Sequence, residues 1–264
     1  MKTSRSNTLL VELTDADGRR GFGEATLQSG YGDEGVDDAW PRARHLAQAL
    51  AGMRPDAYRT QVEALAAEAP FTATAFGTAL EMLQDSPLLR LQEPARVPLL
   101  ALLNADDEAS TRPEFEALLA QGYRTVKVKV GLAGGRDAER IARVQRVVAG
   151  RARIRIDANQ AFTGRQAAEL LAAIDPQDIE LFEQPCAADD WEGHAQAARA
   201  ARVPLMLDES IYGLRDIDRA ADSGLATFVK VKLVKFATVD RLAEAIARIR
   251  ARGMQPVLGN GVAC

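Results

Sequence analysis

At 264 residues, 47% of them hydrophobic and 27% charged, the chain has room for one large α/β domain or for a barrel carrying a smaller domain. A formal net charge of -4 argues against nucleic acid or a membrane surface as its main partner, since both select basic patches. No apolar run reaches the length of a membrane span, the start Met1-Lys-Thr-Ser-Arg-Ser-Asn7 lacks the apolar centre of a signal peptide, and two cysteines, Cys186 and Cys264, are too few for a disulfide scaffold. A cytoplasmic protein with reduced thiols is expected. The two histidines, His45 and His194, lie in Ala-rich, helix-like surroundings, which gives little support to a histidine-based metal site or catalytic triad.

In chain order, Thr8–Leu13 is apolar and β-branched, Asp15-Ala-Asp-Gly18 supplies turn chemistry and Gly21-Phe-Gly-Glu-Ala25 runs back, so a β-hairpin is predicted. Gly30-Tyr-Gly-Asp-Glu-Gly35 follows as a plain connection or a mobile lid. Ala and Leu at three- and four-residue spacing predict helices between Val36 and Asp85, broken near Gly52-Met-Arg-Pro55 and at Pro70. Pro87–Pro98 reads as a connector, which sets the expected domains as an α+β unit over residues 1–90 and a second unit over residues 91–264.

From Val97 onward apolar runs at Val97–Leu103, Thr125–Val130, Arg153–Asp157, Ile179–Glu183, Pro204–Asp208, Thr227–Lys232 and Gln255–Leu258 alternate with helical stretches such as Arg136–Val148 and Asp240–Arg252. That alternation predicts repeated right-handed βαβ units and a parallel sheet. Seven strands in one run favour a barrel over an open doubly wound sheet.

Within Tyr123–Gly131, Val126, Val128 and Val130 alternate with Lys127 and Lys129, so the two lysines share one face of a strand. Alone, this pattern fits a solvated lysine face as well as a buried pair, because lysine is rarely buried without a partner. Partners come from the next strands. Asp157, Glu183, Asp208 and Lys232 recur at spacings of about one strand plus one helix, and so fall at equivalent strand ends. In a parallel α/β barrel those ends ring the face where active sites are built.

Three carboxylates on adjacent strands repel unless a cation sits between them. Asp157, Glu183 and Asp208 form an all-oxygen set that suits Mg²⁺, a hard ion that keeps positions open for water and substrate. A lysine desolvated near other cations has a lowered pKa and can act as a base at neutral pH. Two lysines facing each other across a metal-held substrate can take a proton from one face of a carbon and return it to the other. Metal and ammonium charge would stabilise the dianionic enediolate left by proton loss next to a carboxylate.

The ordered set Lys127-Val-Lys129, Asp157-Ala-Asn159, Glu183-Gln-Pro185, Asp208-Glu-Ser210 and Lys232-Leu-Val-Lys235, with Gly21-Phe-Gly-Glu-Ala25 near the start, resembles the enolase superfamily and within it the muconate lactonizing enzyme subgroup. The resemblance implies a modified (β/α)₇β, TIM-like barrel with an α+β N-terminal capping domain, and Mg²⁺ held by Asp157, Glu183 and Asp208. It implies Lys129 and Lys232 as the acid/base pair on opposite faces, with Lys127 assisting the substrate carboxylate and Lys129. The loop at Gly30-Tyr-Gly32 matches the position of the family's capping loop. Phe236-Ala237 stand where the family usually has Gly-Gly, and Lys230 shares strand parity with Lys232. Lys230 and Lys235 are read as supporting or solvated charges. The barrel is expected to be incomplete at the C-terminus, because the family continues past the strand at Gln255–Leu258.

The expected function is Mg²⁺-dependent abstraction of the proton α to a carboxylate, by a racemase or epimerase of an amino-acid-like acid. Cycloisomerisation and dehydration share that half-reaction. Rival readings are a Schiff-base lyase using Lys129 or Lys232 as nucleophile, and a non-catalytic truncated or split relative. Expected partners are a small-molecule carboxylate, further copies of the chain and a complementary segment completing the barrel, with neither nucleic acid nor membrane.

Overall fold

The computed structural model describes residues 7–27, 34–132 and 135–260. Most of the Gly30–Gly35 loop and Cys264 therefore lie outside the described residues. The chain opens with a hairpin of β1 (Asn7–Thr14) and β2 (Arg20–Leu27), whose turn is closed by the Asp15 carboxylate accepting from the backbone N–H groups of Asp17 and Arg19. Three helices follow, α1 (Val36–Leu50), α2 (Pro55–Leu65) and α3 (Pro70–Leu83), broken at the two proline positions read from the sequence.

Helix α3 is the buried spine of this part. On one side β2 lies against it so closely that a Cβ on Gly23 would fall 1.9 Å from the Ala75 carbonyl oxygen, and one on Gly21 2.2 Å from that of Ala79. The Gly21-Phe-Gly23 repeat is thus a packing seam. On the other side Gly77 meets the backbone at Ala237, and the buried Glu81 carboxylate accepts from Val239 N at 2.8 Å and Asp240 N at 2.9 Å. Glu34 caps α3 itself, accepting from Phe71 N at 2.8 Å and from the Thr72 hydroxyl.

The second sheet contains seven parallel strands, β3 (Ala101–Leu102), β4 (Thr125–Lys129), β5 (Arg153–Asp157), β6 (Ile179–Glu183), β7 (Leu205–Leu207), β8 (Phe228–Val231) and β9 (Gln255–Leu258). Between them run α4 (Glu108–Ala120), α5 (Asp137–Val148), α6 (Gly164–Ala173), α7 (Trp191–Ala200), α8 (Leu214–Ser223) and α9 (Val239–Ala251). Spatial order follows chain order, so every crossover advances in the same direction, the arrangement that rolls a parallel sheet into a barrel. Among the described residues β3 and β9 are not joined, and Leu102 and Leu258 on these edges are 46% and 67% exposed. The Val97–Leu103 run yields only a two-residue strand, which pairs with β4 at Ala101 and Leu102 alone.

Val126, Val128, Ile154, Ile156, Leu181, Val229 and Val231 are all buried, as expected for parallel strands with helices on one face and a filled interior on the other. No helix among the described residues is long and apolar enough to cross a membrane.

The seam makes a sharp prediction. Gly23→Ala places a methyl group inside the Ala75 carbonyl and should destabilise the protein by about 1–3 kcal/mol, as overpacking does. A fall in the urea midpoint at unchanged slope would show it, whereas an unchanged midpoint would contradict the close approach of β2 and α3.

Candidate active site

Strand register sets the first row of the site. Lys129 pairs with Asp157 and Asp157 with Glu183 across β4, β5 and β6, so these side chains leave the sheet side by side on one face. Lys127 lies two residues earlier on the same face. Asp208 follows directly after β7, Lys230 lies within β8, and Lys232 comes just after that strand. Lys235 sits on the single 3₁₀ turn that follows, Leu233–Lys235.

Asp157, Glu183 and Asp208 are each 1% exposed, and ammonium groups surround them. Lys127 Nζ lies 2.7 Å from Asp157 Oδ2 and 2.8 Å from Glu183 Oε2. Lys230 Nζ is 2.7 Å from Glu183 Oε1 and 3.5 Å from Asp208 Oδ2. Lys232 Nζ donates to Asp208 Oδ2 at 2.7 Å, while Lys235 Nζ holds Asp208 twice, at Oδ1 (2.8 Å) and at the backbone carbonyl (2.6 Å). The structure therefore brings all six residues singled out by sequence into one region. It also corrects the solvated alternative for Lys230 and Lys235, which are buried or nearly so against carboxylates. Their partners sit on other strands, which explains why local pattern did not reveal them.

The pKa directions follow this geometry. Burial, then the Asp157 charge, raises Glu183 against the pull of Lys127 and Lys230. Burial acts on Asp208 in the same sense, but Lys235 and Lys230 outweigh it and hold Asp208 below its ordinary value. Burial lowers Lys230 less than Glu183 and Asp208 raise it, so it stays above the usual lysine range. Burial and then the Lys235 ammonium push Lys232 down to about 6, with the Asp208 contact working in the opposite sense.

Neutral side chains hold the frame. Lys129 Nζ donates to Asn159 Oδ1 at 2.7 Å, and Asn159 Nδ2 donates to Glu209 Oε1 at 3.1 Å. Gln184, fully buried, ties the ends of β6 and β7 together. Its Oε1 accepts from Asp208 N at 2.8 Å, and its Nε2 donates to Ser210 Oγ at 2.7 Å and to the Cys186 carbonyl at 3.1 Å. Asn159 and Gln184 both have positive φ, 41° and 39°, a strained backbone that appears where strand ends turn to present side chains. Neither residue was singled out from sequence, although both belong to the motifs that carried the charged positions. Glu209 Oε2 is buried with no hydrogen-bond partner among the described residues, and burial followed by the Asp208 charge raises Glu209 to about 7.

The donor set has the chemistry for a hard divalent ion, being three buried carboxylates on consecutive strands. Among the described residues, however, no three Asp, Glu, His or Cys side chains form a group that could hold a metal ion as they stand. Lysine ammonium groups take their oxygens instead. Beside the site a cleft of about 1040 Å³ is bordered by Gln160, Glu209, Tyr212 and Lys235 from the sheet side and by Ala66 and Pro70 from the helices that precede it. Lys129 and Lys232 lie outside its lining.

Residues 111–264 match the family described as Enolase C-terminal domain-like. The chain is 30% identical to an L-Ala-D/L-Glu epimerase of Clostridium acetobutylicum over 159 residues, 60% of this chain and 44% of that protein, so it spans less than half the length of this relative. It is 26% identical to a hydrophobic dipeptide epimerase of Enterococcus faecalis over 87% of this chain and 68% of the relative, and 28% identical to muconate cycloisomerase 1 of Pseudomonas putida over 89% and 67%. A solved dipeptide epimerase of Enterococcus faecalis superposes with a TM-score of 0.86 at 21% identity, covering 97% of this chain and 80% of that one. The same enzyme complexed with Mg and the dipeptide L-Leu-L-Tyr gives 0.85 at 22% identity, covering 96% and 74%. These structural likenesses are likenesses of fold.

Lys127 is the cation that serves Asp157. Lys127→Met leaves that carboxylate buried without an ammonium partner and should cost the metal-free protein about 3–5 kcal/mol. Urea unfolding in EDTA measures it, and a loss below about 1 kcal/mol, the scale of an exposed pair, would show that the contact is not a buried ion pair.

Proposed function

Since the chain belongs to the enolase superfamily, in the subgroup of mandelate racemase and muconate lactonizing enzyme, we propose that it is an enzyme that removes the proton α to a substrate carboxylate. Returning a proton to the opposite face makes it an epimerase of an amino-acid-like acid, with a dipeptide as the favoured substrate. The observation that carries this reading is the placement of Lys129 and Lys232. They leave β4 and β8 on either side of β5, β6 and β7, the three strands whose ends carry Asp157, Glu183 and Asp208. A substrate seated over the carboxylates meets one lysine from each side.

Each group has a task. Lys129 is oriented by Asn159 and takes the proton from one face; Lys232 gives or takes it on the other. Lys232 is preferred to Lys230 because Lys230 Nζ is committed to two carboxylates within the strand, whereas Lys232 lies past its end. Its lowered pKa agrees with a base that works near neutrality. Lys127 and Lys235 keep the buried carboxylates charged and in place. Asp157, Glu183 and Asp208 would hold Mg²⁺, which when bound supplies Lewis-acid stabilisation of the negative charge that develops on the substrate.

Muconate cycloisomerases among the matched proteins support a second reading, cycloisomerisation by the same half-reaction. The dipeptide reading is preferred because the matched relatives include several epimerases named for dipeptides or for Ala-Glu and Ala-Ala pairs.

Incubation of L,L- and L,D-dipeptides with the protein and Mg²⁺ in D₂O tests the reading. Deuterium should enter at an α-carbon, stop with EDTA and resume with added Mg²⁺. Lys129→Met and Lys232→Met should each lower epimerisation by about 10²–10⁴-fold, the usual contribution of a positioned acid or base, while each retains exchange from one epimer only. Absence of exchange with every dipeptide and other carboxylate offered would sink the proposal; EDTA-insensitive turnover trapped by borohydride would favour the Schiff-base alternative.

A further inference from the structure

Lys230, like Lys127, bridges two carboxylates of the cluster. Its ammonium group bridges Glu183 Oε1 at 2.7 Å and Asp208 Oδ2 at 3.5 Å, and so stands between two of the three groups assigned to the metal. The fold makes room for it. Its stem runs against Gly259, just past β9, where an added Cβ would fall 2.5 Å from Lys230 Cε and 3.3 Å from Cγ. Any residue larger than glycine there would press on the lysine.

Unlike Lys127, Lys230 is also a cation that the cluster can release. Lys127 already touches Asp157 and Glu183, and Lys235 together with Lys232 touches Asp208. Withdrawal of Lys127 would strip Asp157 of its ammonium partner, whereas withdrawal of Lys230 leaves each of the three carboxylates in contact with another lysine. A dication entering between Glu183 and Asp208 meets Lys230 as a like charge at contact distance, in a region where burial weakens solvent screening.

We infer that Lys230 is an internal competitor of the divalent cation: its ammonium group fills the space between Glu183 and Asp208 in the metal-free protein and must swing out when the metal binds. This rests on the reading of Asp157, Glu183 and Asp208 as the metal ligands. Lys230 thereby sets the metal concentration at which the site loads, and it holds two buried carboxylates together when no metal is present.

Equilibrium Mn²⁺ binding, followed by the electron paramagnetic resonance signal of free Mn²⁺, tests this without any substrate. Lys230→Met should bind Mn²⁺ at least about tenfold more tightly than the unmodified chain, and its melting temperature should rise more on adding Mn²⁺. Lys230→Gln, which keeps a polar side chain in the same space, should also bind more tightly, and it replaces Lys230→Met in the comparison if the latter does not fold. Lys230→Arg keeps the charge and should bind no more tightly than the unmodified chain. Asp208→Asn should abolish the tight site in either background. Equal or weaker binding by both neutral variants would overturn the inference while leaving the metal assignment intact. Failure of every form, including the unmodified chain, to bind Mn²⁺ would overturn both.

Discussion

The constraint on which the rest of this structure depends is the burial of three carboxylates on three adjacent strands. Parallel register, after one irregularity between Ile154 and Arg155, puts Asp157 beside Glu183, and the end of β7 adds Asp208. Carboxylates so placed cannot remain ionised unless opposite charge is buried with them. The chain meets this need from the flanking strands, with Lys127 on β4 and Lys230, Lys232 and Lys235 on and after β8. The lysines are therefore part of what makes the barrel interior tolerable, as well as candidates for chemistry. A site built in this way keeps its charge pattern only while the strands keep their order, so catalytic geometry and sheet topology stand or fall together.

The preceding helices act on the same cluster from outside. Gly77 on α3 meets Ala237, and Glu81 caps the first turn of α9 at Val239 and Asp240. Between the Lys232 strand end and that capped turn lies the 3₁₀ segment carrying Lys235, whose ammonium fixes both the side chain and the carbonyl of Asp208. Contact between the helical part and the barrel thus bears on a carboxylate of the site through one short turn. Ala237, in the left-handed region at φ 63°, pays for that close contact in backbone strain, since a residue with a Cβ is disfavoured there.

Much of this was legible in the sequence. Alternating β-branched runs and amphipathic stretches gave the strand and helix order, and charged residues repeating at one strand plus one helix located the strand ends. The limits were equally physical. The Val97–Leu103 run has the composition of a full strand, but only Ala101 and Leu102 pair with β4, and pattern does not report which residues of a run pair. Lys230 and Lys235 could not be told from solvated lysines, because the carboxylates that hold them lie on β6 and after β7, far away in sequence. Asn159 and Gln184 carry no charge and give no periodic signal. Their importance comes from positive-φ turns and from hydrogen bonds between strand ends, both consequences of the folded backbone.

Two lysines two residues apart, one on β8 and one just past its end, show how little separates a structural charge from a candidate base. Lys230 and Lys232 share parity and a contact with Asp208, yet their pKa values move in opposite directions. Lys230 reaches Glu183 as well, and two carboxylates outweigh the cost of desolvating its ammonium. Lys232 stands past the end of the strand, where burial and the Lys235 charge act against protonation. Each half of that contrast has a separate cause. Strand register delivers Lys230 to Glu183, and the turn after β8 delivers Lys235 to the neighbourhood of Lys232. A change in the turn would alter the surroundings of Lys232 without disturbing the Lys230–Glu183 pair, and a change at Glu183 would alter that pair without moving Lys232. Placing a lysine in the barrel is thus only the first step toward a catalytic base; the groups presented to it by neighbouring strand ends decide its role.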